Sequence, residues 1–260
     1  MIPEFFDIHS HLNFPDYGDE LLLIINRMEK NGVWTTVVGT DLKTSKEALV
    51  LAEKHEGIFA CVGVHPVDEP QQNFDELEFE KLVAHPKVVA VGECGLDYFR
   101  IDQNDIEEKE RQKNLFIKHI LFAIKHDKPL MIHSRSAYDD LIDILQFYKK
   151  ENSHLLGNVH FFSGNLEQAK KFIAMDFTIS FAGPITFAHD YDEVIRSVPE
   201  TSILSETDSP FASPVPHRGR RNEPSFVIEV AKKIAQIRGE DEEKTRKILV
   251  NNALKLFKIH

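Results

Sequence analysis

The chain predicts a closed (β/α)8 TIM barrel of the α/β class, and three observations carry that reading. Eight short strand-like runs alternate with helix-like segments along the whole sequence. No linker or low-complexity stretch interrupts them, so the 260 residues read as one domain over 1–260. Acidic and histidine residues recur at the C-terminal ends of runs one, four, five, six and eight, and only a closed barrel gathers those ends into one mouth. A doubly wound open sheet, the competing arrangement, would bind its ligand at a single switch point between strands.

Taken in order, Phe5 to His11 opens the chain as a strand, and Tyr17 to Lys30 follows as a helix with Leu21, Leu22, Ile25 and Met28 at helical spacing. Trp34 to Gly39, Ile58 to Val64 and Val88 to Glu93 are short β-branched or aliphatic runs that read as buried strands two to four. Asp105 to His126 carries Leu115, Phe116, Ile120 and Ile124 on one helical face. Strands five to eight fall at Pro129 to His133, Asn158 to Phe162, Phe177 to Phe181 and Ser202 to Glu206, and a tail helix from Asp241 to Leu256 is expected to pack outside the barrel. Such alternation implies a parallel sheet with right-handed crossovers.

The chemistry concentrates where those strands end. His9 and His11 are two apart, so an extended strand projects both from one face. Glu93, His133, His160 and Asp208 close or follow four other runs. Buried imidazoles and carboxylates need partners, and a cation bound for hydrolytic chemistry supplies one. Of the 13 histidines, His55, His85, His119, His126, His154 and His189 fall on helices or on loops entering strands and are expected to be chemically silent. His217, after strand eight, stays undecided, and the terminal His260 is expected to be inert.

Composition narrows the classes. With 42% hydrophobic and 28% charged residues the chain reads as globular, and its longest aliphatic run, Leu21 to Ile25, falls far short of the roughly 20 residues that span a bilayer. The N-terminus lacks a cationic segment followed by an apolar one, so a cytoplasmic protein with no membrane partner is expected. Cys61 and Cys94 lie in or beside strands, where a small buried hydrophobe rather than a disulfide is expected, in keeping with a reducing compartment. A net charge of −11 argues against a surface that coats nucleic acid through general electrostatics. It is compatible with a nuclease, because bound divalent cations reverse the sign locally.

Several segments together resemble the TatD family of metal-dependent deoxyribonucleases, within the wider amidohydrolase-like barrel hydrolases. They are D-I-H-S-H at Asp7 to His11, G-V-H-P at Gly63 to Pro66, G-E-C-G-L-D at Gly92 to Asp97 and I-H-S-R at Ile132 to Arg135. H-F-F-S-G at His160 to Gly164, E-T-D-S-P at Glu206 to Pro210 and R-G-R-R-N-E-P at Arg218 to Pro224 complete the set. The resemblance implies His9, His11, Glu93, His133, His160 and Asp208 as ligands of two divalent ions per subunit, magnesium, manganese or zinc. His9, His11 and Asp208 would hold one ion, His133 and His160 the other, with Glu93 bridging. Asp208 and Glu93 are then the catalytic carboxylates around a metal-bound water, with Asp208 orienting or deprotonating it. Two departures from the family pattern, Phe161 after His160 and Ser205 before E-T-D-S-P, touch no ligand; Phe161 adds bulk beside the site.

Other groups near those ends suit phosphate. Arg135 lies two residues beyond His133 and shares its face if the strand continues, and Arg218, Arg220 and Arg221 form either a phosphate cluster or a solvated loop. His65 either faces the mouth as a donor to substrate or packs in a turn fixed by Pro66. Asp97 either orients a ligand histidine or caps a turn. Asp7 and Glu206 lie equally near the ligands, and structural hydrogen bonding accounts for them as well. Phe14, Tyr98 and Phe99 either stack on unpaired bases or seal the loops, the second reading being preferred for two of the three.

The resemblance implies hydrolysis of DNA phosphodiester bonds, with 3'-5' trimming of single-stranded ends and DNA as the partner; no obligate protein partner is evident. Residue chemistry alone reaches only a metal-dependent barrel hydrolase. Two rivals follow: an ester or amide hydrolase on the same site, for example one that deacylates a D-aminoacyl-tRNA, and a non-catalytic protein stabilised by its metal.

Overall fold

A computed structural model describes residues 2–67, 74–102 and 104–260. Its eight strands are β1 (Phe5–Ser10), β2 (Val33–Val38), β3 (Ile58–Val62), β4 (Val88–Asp97), β5 (Leu130–Arg135), β6 (Gly157–Val159), β7 (Thr178–Phe181) and β8 (Ile203–Ser205). Each pairs in parallel with the next in sequence order. The extensions of β8 and β1 close the ring: the Asp208 N–H donates to the His9 carbonyl at 2.9 Å and the His11 N–H to the Ser209 carbonyl at 2.7 Å. The chain is therefore the (β/α)8 barrel that the alternation predicts.

Nine α-helices accompany the strands among the described residues: α1 (Leu21–Lys30), α2 (Leu42–Lys54), α3 (Glu76–Val83), α4 (Ile106–Lys125), α5 (Tyr138–Glu151), α6 (Leu166–Ala174), α7 (Asp192–Ser197), α8 (Val227–Arg238) and α9 (Glu242–Leu256). Asp41, Asp75, Asp105, Asn165 and Asp241 each accept the N–H three residues on and so start α2, α3, α4, α6 and α9. The helix expected over Tyr17 to Lys30 is two elements, because the backbone kinks at Gly18 (φ 45°, ψ −131°) inside a 3-10 stretch, Pro15–Glu20, that precedes α1. No helix among the described residues is long and apolar enough to cross a membrane.

Two apolar layers result. One joins the outer faces of the strands to helices α1 to α8, with Ile24, Ile25, Phe79, Phe116, Leu141, Phe172 and Val230 among its buried members. The other gathers Phe6, Ile8, Val38, Cys61, Ala90, Met131 and Leu204 inside the barrel. Val250, Ala253 and Leu256 of α9 join this inner cluster with Phe257, whose ring lies 5.7 Å from that of Phe6. The tail helix thus closes the lower end of the barrel rather than lying only against its outside, since an inner cluster open at the bottom would leave apolar surface in water. Cys61 and Cys94 are buried free thiols, as expected.

Candidate metal centre

The upper end of the barrel is polar because its strands deliver polar side chains inward. On β4, Gly92 and Gly95 flank Glu93, and a Cβ at either would lie 2.3 Å from the Met131 carbonyl oxygen or 2.0 Å from that of His133. The G-E-C-G spacing therefore lets β5 approach closely enough to bring His133 beside Glu93. At the closing seam, the paired backbones of residues 208–209 and 9–11 set Asp208 next to His9 and His11. Asp208 adopts φ 53°, a left-handed conformation that side chains rarely take and that functional sites retain.

The two oxygens of Glu93 divide the cluster. Oε2 lies 3.4 Å from His9 Nε2 and 3.7 Å from His11 Nε2; Asp208 Oδ1 is 3.8 and 3.5 Å from the same two nitrogens, which are 3.2 Å apart. Oε1 lies 2.8 Å from His160 Nε2, 3.1 Å from His133 Nδ1 and 3.6 Å from His65 Nε2. His133 Nδ1 and His160 Nε2 are 3.4 Å apart. A cation about 2.0 to 2.2 Å from each ligand holds neighbouring donor atoms about 3 to 3.6 Å apart, and both halves are close to that spacing.

Tautomers strengthen the fit. His11 Nδ1 is 3.0 Å from the Val38 carbonyl, which can only accept, so that nitrogen carries the hydrogen and Nε2 turns a lone pair inward. His133 Nε2 donates in the same way to Asp97 Oδ2 at 3.0 Å, leaving its Nδ1 lone pair toward Glu93. His160 Nδ1 faces Glu206 Oε1 at 3.6 Å, and Nε2 points at Glu93. Neutral imidazoles aimed at carboxylates present acceptors to acceptors, an arrangement that a cation or extra protons must satisfy. Protons take that part wherever positive charge is lacking. Burial opposes charge on His160, yet Glu93 and Glu206 outweigh it and hold this imidazole well above its usual range. Burial likewise opposes charge on His11 and His133, while Asp208 and Glu93 raise the first and Asp97 and Glu93 the second. Burial works against ionised Glu93, and the surrounding His160, His65 and His9 nevertheless depress it well below the carboxylate range.

A family model described as TatD related DNase matches residues 6–258. The chain belongs to the TatD family. It is 39% identical over 260 residues to an uncharacterized metal-dependent hydrolase, YabD of Bacillus subtilis, covering 98% of this chain and 99% of the relative. A second, from Buchnera aphidicola, is 34% identical over 97% of this chain and 96% of its own. Among solved structures, the TatD homologue YjjV of Escherichia coli superposes with a TM-score of 0.88 at 30% identity, covering 100% of both chains. A TatD family hydrolase of Entamoeba histolytica shares the fold, with a TM-score of 0.84 at 23% identity over 99% of both.

In this TatD-family chain the remaining sequence candidates separate. His65 lies at the mouth, its ring 4.5 Å from that of His133. Its Nδ1 accepts the Val67 N–H at 3.4 Å, which leaves the hydrogen on Nε2; although His65, Glu93 and His133 could together surround an ion, His65 offers a donor where the others offer lone pairs. Arg135 stands on β5 as the continuing strand requires, exposed, with its guanidinium 3.6 Å above the Phe99 ring. Asp97 orients His133 and also accepts the Phe99 N–H at 2.9 Å, so both sequence readings hold. Glu206, fully buried, accepts from the Phe161 N–H and the Ser180 hydroxyl while facing His160. Asp7 accepts from Thr207 and the His9 N–H, and burial lifts its carboxyl well above its usual range.

The R-G-R-R-N-E-P segment is mostly scaffold. Arg218 stacks over Phe187, and Arg221 pairs with Glu20 and donates to the Asp16 carbonyl. His217 stacks on Phe226 with ring centroids 3.7 Å apart. Asn222 donates to the Thr207 and Phe211 carbonyls and pins the loop that carries Asp208. Tyr98 bonds Asp140 and packs on the core, and Phe14 stacks on His11 at 4.4 Å, whereas Phe99 stays exposed. Phe211, 48% exposed and 6.2 Å from the His11 ring, is an aromatic at the mouth that periodicity could not flag; its position three residues after Asp208 was the available signal.

Proposed function

We propose that this protein is a divalent-metal-dependent deoxyribonuclease that trims single-stranded DNA ends in the 3'-5' direction. The observation that carries the reading is the division of Glu93, one oxygen facing His9 and His11 and the other facing His133 and His160. That arrangement supports two ions sharing one carboxylate, the first completed by Asp208. The description of the family as DNases and the metal-dependent hydrolase names of the relatives support the choice of chemistry. Bound there, the ions would supply Lewis acidity to a phosphoryl oxygen and lower the pKa of a water.

The chain's own groups divide the remaining work. Asp208 stays ionised, since His11 and His9 outweigh the burial that opposes its charge, and its partly exposed carboxylate can orient a water and take its proton. His65 presents Nε2–H to the mouth, suited to a phosphate oxygen or to the departing hydroxyl. Arg135, stiffened by Phe99, offers a planar fork to non-bridging oxygens. Asp97 and Glu206 keep His133 and His160 aimed inward.

The test offers metal-reconstituted protein a matched panel of single-stranded DNA, duplex DNA, RNA, an aminoacyl-tRNA and simple carboxyl esters. Turnover led by single-stranded DNA with 3' mononucleotide release supports the proposal. Turnover confined to the aminoacyl-tRNA or the carboxyl esters would replace it with the rival hydrolase.

A further inference from the structure

Three polar side chains of helix α4 that the site chemistry above does not use grip the backbone beside it. Gln112 and His119 are fully buried and seven residues apart, hence two turns along one face. Gln112 accepts the Asp97 N–H at 2.8 Å and donates to the Asp97 carbonyl at 3.0 Å, so one amide holds both backbone groups of the residue that orients His133. His119 Nδ1 donates to the Leu115 carbonyl at 2.9 Å; its Nε2 therefore carries a lone pair and accepts the Val64 N–H at 3.0 Å. Arg111 donates to the Pro66 carbonyl at 2.5 Å. Glu108 ties the set together by accepting from both Arg111 and Gln112.

His65 is thus bracketed. The residue before it is held by His119, the residue after it by Arg111, and its own N–H donates to the Thr40 carbonyl at 2.8 Å. We propose that α4 is the positioning element of the mouth, with His119 and Arg111 fixing where the His65 imidazole stands over Glu93 and Gln112 fixing Asp97 and, through it, His133. These are positioning residues, since none touches the cluster itself. Among the described residues His119 makes two hydrogen bonds, one to the Leu115 carbonyl within its own helix and one from the Val64 N–H, and its ring meets that of Phe74 at 4.3 Å. The inference rests on His65 serving the proposed site and is indifferent to which ester the site cleaves.

The test is a double-mutant cycle on the full-length, metal-reconstituted chain with bis(p-nitrophenyl) phosphate as the probe. His119→Leu should lower kcat/KM about 10- to 100-fold by displacing His65. His119→Gln, which keeps an acceptor near the Nε2 position, should stay within about twofold of the parent. In a His65→Asn background, His119→Leu should cost nothing further. Equal losses in both backgrounds, or Gln faring no better than Leu, would overturn the proposal. Arg111→Gln, at a more exposed position, repeats the cycle at Pro66 if His119→Leu does not fold. A readout independent of turnover accompanies it: long-range nitrogen–proton correlation spectra of the metal-free chain should show His65 in the Nε2–H tautomer, lost in His119→Leu and retained in His119→Gln. An unchanged His65 in every variant would refute positioning even if no phosphodiester were cleaved, and a changed one would sustain it while the nuclease reading alone fell.

Discussion

Acid should destabilise this protein through His119, and the size of the effect can be worked from its surroundings. Burial pushes the imidazole down to about 4 from its usual 6.5, and protonation would turn an N–H against the Val64 N–H that Nε2 now accepts. The unfolded chain therefore takes the proton first. Stability from this group is complete above about pH 6.5 and is lost as pH falls toward about 4, a change of roughly 3 kcal/mol. Urea unfolding of the metal-free chain and of His119→Gln, followed from about pH 7.5 to about pH 4, isolates the term because the other titrations are common to both. The gap between the two should shift by roughly 2 to 3 kcal/mol in favour of the variant as pH falls. A gap that stays constant across that range would show that His119 is not held neutral by its burial.

Three further outcomes follow from the same geometry. Glu93→Ala removes the carboxylate that both halves of the cluster face, so it should lose at least one ion by elemental analysis together with all DNA cleavage; two ions and normal turnover in this variant would take Glu93 out of the centre. Arg135→Ala should keep its metal and lower kcat/KM on single-stranded DNA by about 10- to 100-fold, the worth of a charge-assisted hydrogen bond, and parental kinetics on every phosphodiester would discard the clamp. Asn222→Ala strands the Thr207 and Phe211 carbonyls and the Glu223 N–H, which Asn222 now serves. It should cost about 2 to 4 kcal/mol in urea unfolding, whereas a loss below about 0.5 kcal/mol would mean that water replaces the side chain.

The strand order was legible from the alternation of apolar runs with helical segments, and the six residues grouped at the mouth because strands one, four, five, six and eight each run into a histidine or carboxylate, a local pattern. Boundaries were less so. The sixth strand was expected to reach Phe162, but β6 stops at Val159 because Phe161 takes φ 46° and turns its N–H to Glu206. The fourth was expected to end at Glu93, but β4 runs on to Asp97, where Arg135 and Gln112 both grip its edge. Of the residues that support the histidines, Asp97 reads from the sequence as able to orient one and Glu206 as lying near the ligands, but the partner of Glu206 and the role of His119 do not. Glu206 meets His160 from 46 positions away, and His119 meets Val64 from 55. Such pairs have no spacing signature, so the silent reading of His119 was the natural one for an imidazole on a helix.

The central claim is that Glu93 joins two ion sites whose filling drives DNA cleavage, and one titration tests it. Chelated protein is given increasing manganese while cleavage of an end-labelled single-stranded oligonucleotide is followed. Activity that is absent without metal, rises to a plateau at two equivalents per chain and yields a ladder shortened from the 3' end is the expected result. Cleavage that persists without metal, or no cleavage at any manganese, magnesium or zinc level, would contradict the account.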